Sequence, residues 1–550
     1  MEIKTYTHLR RAELITKFKD ASYDLVVIGG GITGAGIALD AASRGMKVAL
    51  VEKGDFASGT SSKSTKLIHG GLRYLKQFDF ALVREVGTER AIVHKLAPHL
   101  VLPEKMLLPL VKNGSYGKIL SSIGLKVYDI LANVKGDDRR KMIGKEKALA
   151  LEPLLPNKEL KGAAYYAEYR TDDARLTIEN IKTANNYGAT ILNYSEVQNF
   201  LYKENQVSGV VVKDVLSDEV YHINSKFVIN AGGPWVDELR AFNASKTGKQ
   251  LHLTKGIHLV FPKEKLPVKQ SVYFDIPDGR MMFAIPRGKV TYAGTTDTSY
   301  KGDKNDIDVN KKDANYVLDG INTMFPGVHL ELKDVISSWA GLRPLIHEEG
   351  KSPSELSRKD EIFVSDTGLI SMAGGKLTGY RKMAQKIVDK LQKKLERKTA
   401  VNFKKVATKK IPLCGGVWKS HKEVLTYINK LITDYSTIGL SDYYAWYLTT
   451  TYGKQTERIL AIYNSFEKGT HFGKLIKAEL HFCIQHEMVV TPMDFFIRRT
   501  GRMYFDIESV STYLDLVLEE FKTIFELSDE KVLSYKKELE KEIYNHSNFE

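Results

Sequence analysis

Cysteine and long apolar runs are scarce in this sequence of 550 residues. Its two cysteines, Cys414 and Cys483, lie far apart and lack C-x-x-C spacing, which argues against a disulfide framework, a zinc ribbon or an iron–sulfur cluster held by this chain. No uninterrupted apolar run is long enough to cross a bilayer, and the amino-terminal segment has no continuous apolar stretch of the signal-peptide type. We therefore expect a protein that stays in the cytoplasm.

The length of the chain indicates the number of domains, and its net charge indicates the kinds of partner. A chain of 550 residues exceeds what one hydrophobic core usually supports, so we expect two or three domains. The net charge of +14 favours an anionic partner: a phosphorylated metabolite, an acidic membrane surface or nucleic acid. Because the basic residues are dispersed and no RNA- or DNA-binding motif is visible, we expect no nucleic-acid partner.

A dinucleotide-binding pattern occupies residues 23–53, which read as strand, glycine turn, helix and strand. The turn fits G-x-G-x-x-G, in which the glycines allow a tight turn, close approach of the backbone to a pyrophosphate and close packing of the helix on the sheet. An acid at the end of the second strand is placed to accept hydrogen bonds from a ribose. The pattern does not by itself distinguish NAD from FAD. The residues predicted to contact the cofactor here are Gly29, Gly31, Thr33, Gly34 and Glu52.

Two later segments favour FAD over NAD. Residues 225–239 and 368–391 each read as an apolar strand that runs into a glycine pair, and each can bring backbone amides and a helix amino terminus up to a dinucleotide. Two ordinary strand-to-loop turns would look the same when taken singly. Their order along the chain, however, is that of flavoproteins, in which FAD lies extended across the fold. The predicted contacts are Gly232, Trp235, Gly375, Lys376, Leu377 and Thr378.

A polar stretch, residues 58–74, follows the second strand, where a flavin would extend away from its adenine end. Its serines can hydrogen-bond to phosphate and ribityl oxygens, and its glycine pair lets the backbone pass close to a flat ring. Arg73 would then lie on the substrate side of the flavin, where its planar charged group suits a phosphate, with the Tyr74 hydroxyl as a second donor. A helix cap followed by a surface arginine is the alternative. The predicted cofactor contacts are Ser61, Ser62, Ser64, Gly70 and Gly71.

Several long segments, taken together, resemble the family of FAD-dependent glycerol-3-phosphate dehydrogenases. The resemblance covers residues 20 to 395, and residues 495–502 are similar to the helical carboxy-terminal part of that family. The segments that carry it are "GGGITGAGIALDAASRG", "SSKSTKLIHGGLRYL", "RTDDARL", "NAGGPWV", "KGIHLVFP", "AGTTDT", "GLRPL" and "GGKLTGYRKMA".

The expected fold is α/β, with a discontinuous Rossmann-like FAD-binding domain, a mixed or antiparallel substrate domain and an α-helical carboxy-terminal domain. Residues 271–298 alternate in strand fashion between turn signals, which predicts the sheet over the substrate. A lysine-rich stretch, residues 393–410, reads as a solvated linker, and helical spacing follows it. The expected divisions are an amino-terminal tail (1–20), the FAD domain (21–100, 160–250 and 335–397), the substrate domain (101–159 and 251–334) and the helical domain (398–550).

The resemblance implies oxidation of sn-glycerol 3-phosphate at C2 to dihydroxyacetone phosphate, with hydride passing to flavin N5. This chemistry needs a phosphate clamp and a base near the C2 hydroxyl. We choose His258 as the base because an imidazole with a pKa of about 6.5 suits proton transfer near neutral pH. A histidine satisfied by neighbouring strands is an equal alternative, and His69 is a weaker candidate. The predicted catalytic residues are His258 and Arg343, and the predicted substrate-binding residues are Arg73, Tyr74, Arg343, Arg358 and Lys376.

The sequence provides no second redox centre to reoxidise the flavin. The resemblance implies a membrane quinone as acceptor, reached by peripheral attachment to the inner face of the cell membrane. Residues 117–135 could form an amphipathic helix flanked by lysines, although a helix packed into its own protein looks similar. An anionic membrane surface is thus an expected partner, and a homo-oligomer is possible. No metal site is expected.

Two other activities stay open. The oxidase branch of the same family passes electrons to oxygen and makes hydrogen peroxide, but its members tend to carry an insertion after the segment that matches residues 341–346, where this chain has only a short stretch. An FAD-dependent amine or amino-acid oxidase shares the glycine motifs. The carboxylate substrate of such an enzyme would not fully explain the presence of Arg73, Arg343 and Lys376.

Overall fold

The computed structural model describes residues 4–69, 80–112, 139–347, 360–435 and 441–549. The predicted site residues Gly70, Gly71, Arg73, Tyr74 and Arg358, and the amphipathic segment 117–135, lie outside these ranges. The strands within them, in chain order, are β1 (Ser22–Tyr23), β2 (Leu25–Ile28), β3 (Val48–Val51), β4 (Leu67–Ile68), β5 (Leu102–Val111), β6 (Lys141–Ile143), β7 (Leu160–Arg170), β8 (Thr190–Leu192), β9 (Ser195–Lys203), β10 (Gln206–Asp214), β11 (Val220–Ser225), β12 (Val228–Asn230), β13 (Leu251–Pro262), β14 (Ser271–Asp275), β15 (Met281–Arg287), β16 (Val290–Gly294), β17 (Thr298–Ser299), β18 (Ser337–Ile346), β19 (Asp360–Val364) and β20 (Ile370–Gly374).

The helices connect and cover these strands and form most of the carboxy-terminal region. In the described residues, the α-helices are α1 (Arg11–Asp20), α2 (Ile32–Ser43), α3 (Phe80–Leu96), α4 (Lys145–Leu151), α5 (Asp173–Asn186), α6 (Val236–Phe242), α7 (Lys311–Met324), α8 (Tyr380–Thr399), α9 (His421–Tyr435), α10 (Asp442–Tyr452), α11 (Thr456–Ser465), α12 (His471–His486), α13 (Arg502–Phe505), α14 (Ile507–Phe525) and α15 (Asp529–Ser547). Short 3₁₀-helices include Thr60–Ser62, Gly233–Trp235 and Leu377–Gly379, and Asp494–Arg499 forms a π-helix.

A six-stranded sheet with the order β19-β20-β12-β2-β3-β8 forms the centre of the nucleotide-binding part. Its neighbouring strands run parallel except β19, which is antiparallel to β20. Strands β2 and β3 are buried throughout, and their runs of Val, Leu and Ile fit parallel strands covered on both faces. Helix α2 packs on both of them and on α5 and α8. The carboxyl ends of β2, β12 and β20 therefore meet at one edge.

A second, larger sheet lies beside this edge. Its order is β17-β13-β16-β15-β14-β5-β7-β4, with β18 paired to β13 and β6 paired to β7. Its pairs are antiparallel except β5 with β14. The strands β14, β15 and β16 confirm the predicted antiparallel segment at 271–298. A third sheet, β1-β11-β10-β9, completes the α/β fold, and the helical carboxy-terminal region from α9 to α15 is confirmed as well.

Three local features differ from the sequence expectations or extend them. The segment expected as an amino-terminal tail contains α1, which buries Ile15 and Phe18. The first part of the expected linker is wrong, because α8 continues to Thr399 with Leu395 buried. Strands β7 and β18 fall within segments assigned to the FAD domain but pair in the larger sheet. The domain divisions themselves stay predictions.

Candidate active site

The glycine turn between β2 and α2 is fixed by close backbone contacts. Gly29 has φ of +111°, and a Cβ atom there would lie 2.6 Å from the carbonyl oxygen of Ala231 at the end of β12. A Cβ atom at Gly34 would overlap the carbonyl oxygen of Gly29 and lie 3.3 Å from Cγ1 of Val27. Only glycine fits at either position, so the turn brings the amino end of α2 to the edge of the parallel sheet.

A cavity of about 340 Å³ lies at this edge, in the size range of small-molecule sites. It extends between the glycine turn, the carboxyl ends of β12 and β20, and strand β18 of the larger sheet. The predicted site residues on its wall are Gly29, Gly31, Thr33, Glu52, Ser61, Ser64, Gly232, Trp235, Arg343, Gly375, Lys376, Leu377 and Thr378. The described part of the wall does not include Gly34, Ser62 or His258, which lie behind it.

Glu52 holds the glycine turn in place. Its Oε2 accepts a hydrogen bond from the Gly30 N–H at 2.6 Å, and its Oε1 accepts one from the Gly54 N–H at 2.9 Å. Burial raises the pKa of Glu52, although the two backbone donors oppose that change. The carboxylate thus organises the turn as well as facing the cavity, where the sequence predicts a contact with a ribose.

The segment from Thr60 to Lys66 forms another wall of the cavity. The Ser61 hydroxyl accepts a hydrogen bond from the Ile32 N–H at 2.9 Å, so it caps the amino end of α2. The Ser64 N–H donates to Asp173 at 2.9 Å, and the buried Lys66 ammonium lies 2.5 Å from the same carboxylate. Burial raises the pKa of Asp173, with Lys66 opposing that change. A buried ion pair therefore fixes the shape of this segment.

The larger sheet holds the same segment from its other side. The Trp339 Nε1–H donates to the carbonyl oxygen of Ser64 at 3.2 Å, and the Tyr292 hydroxyl donates to that of Thr65 at 3.1 Å. The Thr60 hydroxyl donates to the carbonyl oxygen of Leu342 at 2.7 Å. Sequence reasoning missed these contacts because they join positions more than 200 residues apart.

Arg343 projects from β18 onto the cavity wall in a fixed orientation. Its Nη1 donates to the carbonyl oxygen of Thr296 at 2.8 Å, and its Nη2 donates to the Thr295 hydroxyl at 2.7 Å. Asp297 lies 3.3 Å from Nη1. The guanidinium lies directly over Gly256 of β13, where a Cβ atom would be 2.5 Å from Cζ. The "AGTTDT" segment, residues 293–298, thus orients this arginine.

His258 is buried between strands of the larger sheet. It pairs with Trp339 of β18 and Gly294 of β16, its ring stacks on Trp339 with centroids 4.8 Å apart, and its Nε2 lies 3.0 Å from the Thr65 hydroxyl. Burial, together with the charges of Arg343 and Lys66, lowers the pKa of His258 well below its usual value. The imidazole is therefore neutral at neutral pH.

The opposite wall comes from the turn after β20. Gly375 has φ of +88°, and the Thr378 hydroxyl donates to the carbonyl oxygen of His69 at 3.2 Å. His69 and Lys376 also face the cavity. Two further wall residues, Lys63 and Asp173, were not predicted; both stand in quoted motifs, and a charged residue within such a motif is the signal that could have found them.

No group of three or more His, Cys, Asp or Glu side chains in the described residues could hold a metal ion. None of the helices in these ranges is both long and apolar enough to span a membrane.

The cavity fits an extended dinucleotide. A Cβ atom at Gly31 would lie 3.1 Å from the Ser61 hydroxyl, and one at Gly59 would lie 3.0 Å from the Trp235 ring, so the glycines let the backbone pass close to these wall residues. The amino end of α2 faces this space, as it does where pyrophosphates bind. The parallel sheet, the glycine turn and the cavity across several chain segments define a dinucleotide-binding flavoprotein.

Comparisons with known proteins identify the family. Residues 24–381 match the family described as FAD dependent oxidoreductase, and residues 406–532 match the C-terminal domain of alpha-glycerophosphate oxidase. The chain is 49% identical to the aerobic glycerol-3-phosphate dehydrogenase of Bacillus subtilis strain 168, covering 98% of both chains. It is 48% identical to that of Staphylococcus aureus strain USA300, covering 97% of this chain and 96% of the relative. The chain therefore belongs to the FAD-dependent glycerol-3-phosphate dehydrogenase family, as the sequence motifs predicted.

Solved structures agree with this result. A glycerol-3-phosphate dehydrogenase from Bacillus halodurans, complexed with FAD, superimposes with a TM-score of 0.84 at 41% identity and covers 98% of both chains. FAD is thus confirmed as the cofactor. An L-alpha-glycerophosphate oxidase from Mycoplasma pneumoniae with FAD bound gives a TM-score of 0.54 at 19% identity over 68% of this chain and 95% of its own, which shows a shared fold alone.

Proposed function

We propose that the protein oxidises sn-glycerol 3-phosphate at C2 to dihydroxyacetone phosphate. Bound FAD supplies the hydride acceptor, at flavin N5. The observation that carries the proposal is Arg343, held in a fixed orientation on the wall of the cofactor cavity, in a chain 49% identical to a glycerol-3-phosphate dehydrogenase. A planar, permanently charged guanidinium binds phosphate oxygens through paired hydrogen bonds.

We assign the phosphate clamp to Arg343 and Lys376, which share the cavity wall. Arg73, Tyr74 and Arg358 complete the proposed clamp and lie outside the described residues. A phosphate offers three terminal oxygens to a set of cationic donors, whereas the carboxylate of an amino acid offers two. This difference supports a phosphorylated substrate over the substrates of amine and amino-acid oxidases.

We assign proton acceptance to His258. Its neutral form has a nitrogen lone pair available at neutral pH, because burial and two neighbouring cations keep its pKa low. Arg343 carries a permanent charge and cannot take the proton. Its catalytic part is to hold the substrate so that C2 faces the flavin.

Anaerobic bleaching of the flavin absorbance tests the reaction. We expect complete bleaching by sn-glycerol 3-phosphate, and none on the same time scale by glycerol, glycine or proline at equal concentration. The product should be dihydroxyacetone phosphate. Bleaching by an amino acid, with none by glycerol 3-phosphate, would reject the proposal in favour of an amino-acid oxidase.

We also propose that the electrons pass to a membrane quinone. The aerobic dehydrogenases among the relatives support this acceptor, while the match to the C-terminal domain of alpha-glycerophosphate oxidase keeps oxygen as the second candidate. Turnover in air with a soluble quinone separates the two. We expect quinone reduction with little hydrogen peroxide; one peroxide per substrate oxidised, unchanged by quinone, would identify an oxidase.

We also propose that the protein attaches peripherally to the inner face of the cell membrane. The net charge of +14 supports this location, because it favours an anionic surface. We expect the protein to sediment with anionic vesicles at low salt and to be released at high salt. Failure to bind such vesicles at either salt concentration would reject the attachment. Neutral vesicles provide the control.

A further inference from the structure

His258 is not among the described residues that line the cavity. The side chain is 1% exposed and lies behind the wall that the described residues form. One ring face stacks on Trp339 with an interplanar angle of 14°. On the other neighbouring strand, a Cβ atom at Gly294 would be 2.6 Å from Cδ2 of the imidazole, so the ring is held tightly between β16 and β18. A proton that passes between this ring and a substrate needs an intermediate group.

Thr65 stands between the ring and the cavity. Thr65 is one of the residues that line the cavity, and its Oγ1 is 3.0 Å from His258 Nε2. A threonine hydroxyl can donate one hydrogen bond while it accepts another, which is what a relay requires. The distance is that of a good hydrogen bond.

The position of this hydroxyl is fixed from both sides along the chain. The Thr65 carbonyl oxygen accepts the hydrogen bond from Tyr292, and the preceding residue, Ser64, is held by Trp339. The following residue, Lys66, is paired with Asp173. Tyr292, Trp339 and Asp173 therefore hold residues 64–66 in place, and Trp339 also stacks on His258. As a result, the distance between Thr65 Oγ1 and His258 Nε2 has little freedom to change.

We propose that Thr65 relays the substrate's hydroxyl proton to His258. This inference rests on the proposed function. As the C2–H bond of the substrate breaks, its hydrogen leaves with the bonding electron pair as a hydride, for which bound FAD would be the acceptor. The hydroxyl proton of the substrate passes to Thr65 Oγ1, and the original Thr65 proton passes to His258 Nε2. The threonine ends unchanged, His258 gains one proton and the substrate becomes the ketone. When the product leaves, the same hydroxyl returns the proton to water that enters the cavity.

The charges around His258 favour the neutral starting state of the ring and the return of the proton after the reaction. Arg343 and Lys66 are the cations that face it, and Tyr292 and Trp339 are its ring neighbours. Because these surroundings favour the neutral imidazole, Nε2 can accept the bond from Thr65 when Nδ1 carries the ring hydrogen. They also disfavour the charged imidazole, which drives the proton back out after the reaction. Nδ1 has no hydrogen-bond partner among the described residues.

The test compares Thr65→Val, which keeps the shape but removes the hydroxyl, with Thr65→Ser, which keeps the hydroxyl. The rate of flavin bleaching by sn-glycerol 3-phosphate is measured anaerobically in holoenzyme. We expect Thr65→Val to lower this rate by about 100-fold, within the usual range for the loss of acid–base assistance, and Thr65→Ser to recover most of it. The residual Thr65→Val rate should rise with pH, because hydroxide replaces the relay.

A second readout does not depend on turnover. In holoenzyme with ¹⁵N-labelled histidine, the Nε2 signal of His258 should move when Thr65→Val removes its hydrogen-bond partner and should stay near the parent position in Thr65→Ser. Thr449→Val is the matched control, since Thr449 is buried in α10 and its hydroxyl has no partner among the described residues. Its rate and its His258 signal should match those of the parent.

Three outcomes distinguish a failure of the relay from a failure of the base and from a failure of the proposed function. A Thr65→Val rate within about 3-fold of the parent, when His258→Gln loses about 100-fold, would overturn the relay and leave His258 as a direct base. A His258→Gln rate equal to that of the parent would overturn both the base and the relay. An absence of bleaching in the parent enzyme itself would instead reject the proposed function.

Discussion

At the scale of single residues, the orientation of Arg343 depends on the absence of a side chain at Gly256. The guanidinium lies over Gly256, and two neighbouring oxygens, from Thr295 and Thr296, fix its direction. The sequence shows a glycine and an arginine 87 positions apart, and only the pairing of β13 with β18 brings them together. The conformation of Gly256 does not require glycine; the close approach of the guanidinium does.

Gly256→Ala is therefore expected to displace Arg343. We predict a decrease of about 10- to 100-fold in kcat/KM for sn-glycerol 3-phosphate, because displacements of about 1 Å at a positioning group have effects of this size. FAD content should be unchanged. Steady-state kinetics measure the effect, and Gly327→Ala, where an added methyl group meets open space, is the control. Equal kcat/KM values for Gly256→Ala and the parent would contradict this view of the clamp.

Sequence reasoning found the residues that local patterns define. The glycine turn, Glu52, Arg343 and Lys376 stand in compact motifs, and all of them reach the cavity. The contacts that orient those groups could not be predicted, because they depend on strand pairing across long sequence separations. Thr65 is one example: its neighbour in space, His258, is 193 residues away.

At the scale of elements, helix α2 and strand β2 approach so closely that their backbones nearly touch. Gly34→Ala places a methyl group on the Gly29 carbonyl oxygen. Overpacking of this kind costs about 1–3 kcal/mol, and here the displaced group is the turn that faces the pyrophosphate. We predict at least about a tenfold weaker affinity for FAD, measured by flavin fluorescence on titration of the apoprotein. Affinity equal to that of the Gly327→Ala control would show that the turn tolerates the methyl group.

Helix α15 is attached to the active-site strand β18 through a half-buried histidine, His546. His546 Nδ1 lies 2.5 Å from the Ser338 carbonyl oxygen, and the Ser338 hydroxyl donates to the His546 carbonyl oxygen at 2.8 Å. Burial lowers the pKa of His546 to about 4. An unfolded chain binds this proton near pH 6.5. Stability from the neutral imidazole is therefore present above pH 6.5 and is lost as the pH falls towards 4.

His546→Gln removes this titration while keeping a donor that can reach Ser338. We predict that the variant loses less free energy of unfolding than the parent between pH 7 and pH 4.5. Denaturant unfolding at several pH values measures the difference. Parallel curves for the two proteins over this range would contradict the assignment of His546 as a neutral group in the folded protein.

At the scale of elements, the sequence did not predict where helix α8 ends or to which sheet strand β18 belongs. Helix α8 continues into the lysine-rich stretch because one face carries buried leucines, which a composition argument overlooks. Strand β18 lies between two segments of the nucleotide-binding part along the chain, yet it pairs with β13. The types of the main elements follow from hydrophobic period, whereas the sheet to which a strand belongs is decided by tertiary packing.

At the scale of the whole molecule, buried ion pairs join the helical carboxy-terminal region to the nucleotide-binding part. Arg498 and Arg499 both contact Asp55, in the loop after β3, at 2.5 and 2.7 Å. Glu487 contacts Arg175 and Lys182 of α5 at 2.6 and 2.8 Å. Burial alone would raise the pKa of Asp55, but the two arginines outweigh it and lower that pKa below its usual range.

Arg499→Met leaves part of this buried charge without a partner. We predict a loss of stability of about 3 kcal/mol, as is usual when one member of a buried ion pair is removed. We also predict weaker FAD binding, because the loop that contains Asp55 donates a hydrogen bond from the Ala57 N–H to the Gly30 carbonyl oxygen of the glycine turn. Chemical denaturation and FAD titration measure the two effects. Arg10→Met, which breaks an exposed pair with Glu13, is the control and should change neither by much. Unchanged FAD affinity in Arg499→Met would show that the carboxy-terminal region acts on stability alone.

Arg343 is proposed to bind the phosphate of the substrate beside the flavin, and the ratio of activities with sn-glycerol 3-phosphate and with glycerol measures this contribution. In Arg343→Ala, we predict a decrease of at least about 100-fold in kcat/KM for glycerol 3-phosphate, the equivalent of a lost charged hydrogen-bond pair. The value for glycerol should change by less than about 3-fold, and FAD content should stay at the parent level. A variant that keeps the parent value of kcat/KM for glycerol 3-phosphate would show that Arg343 does not bind the phosphate.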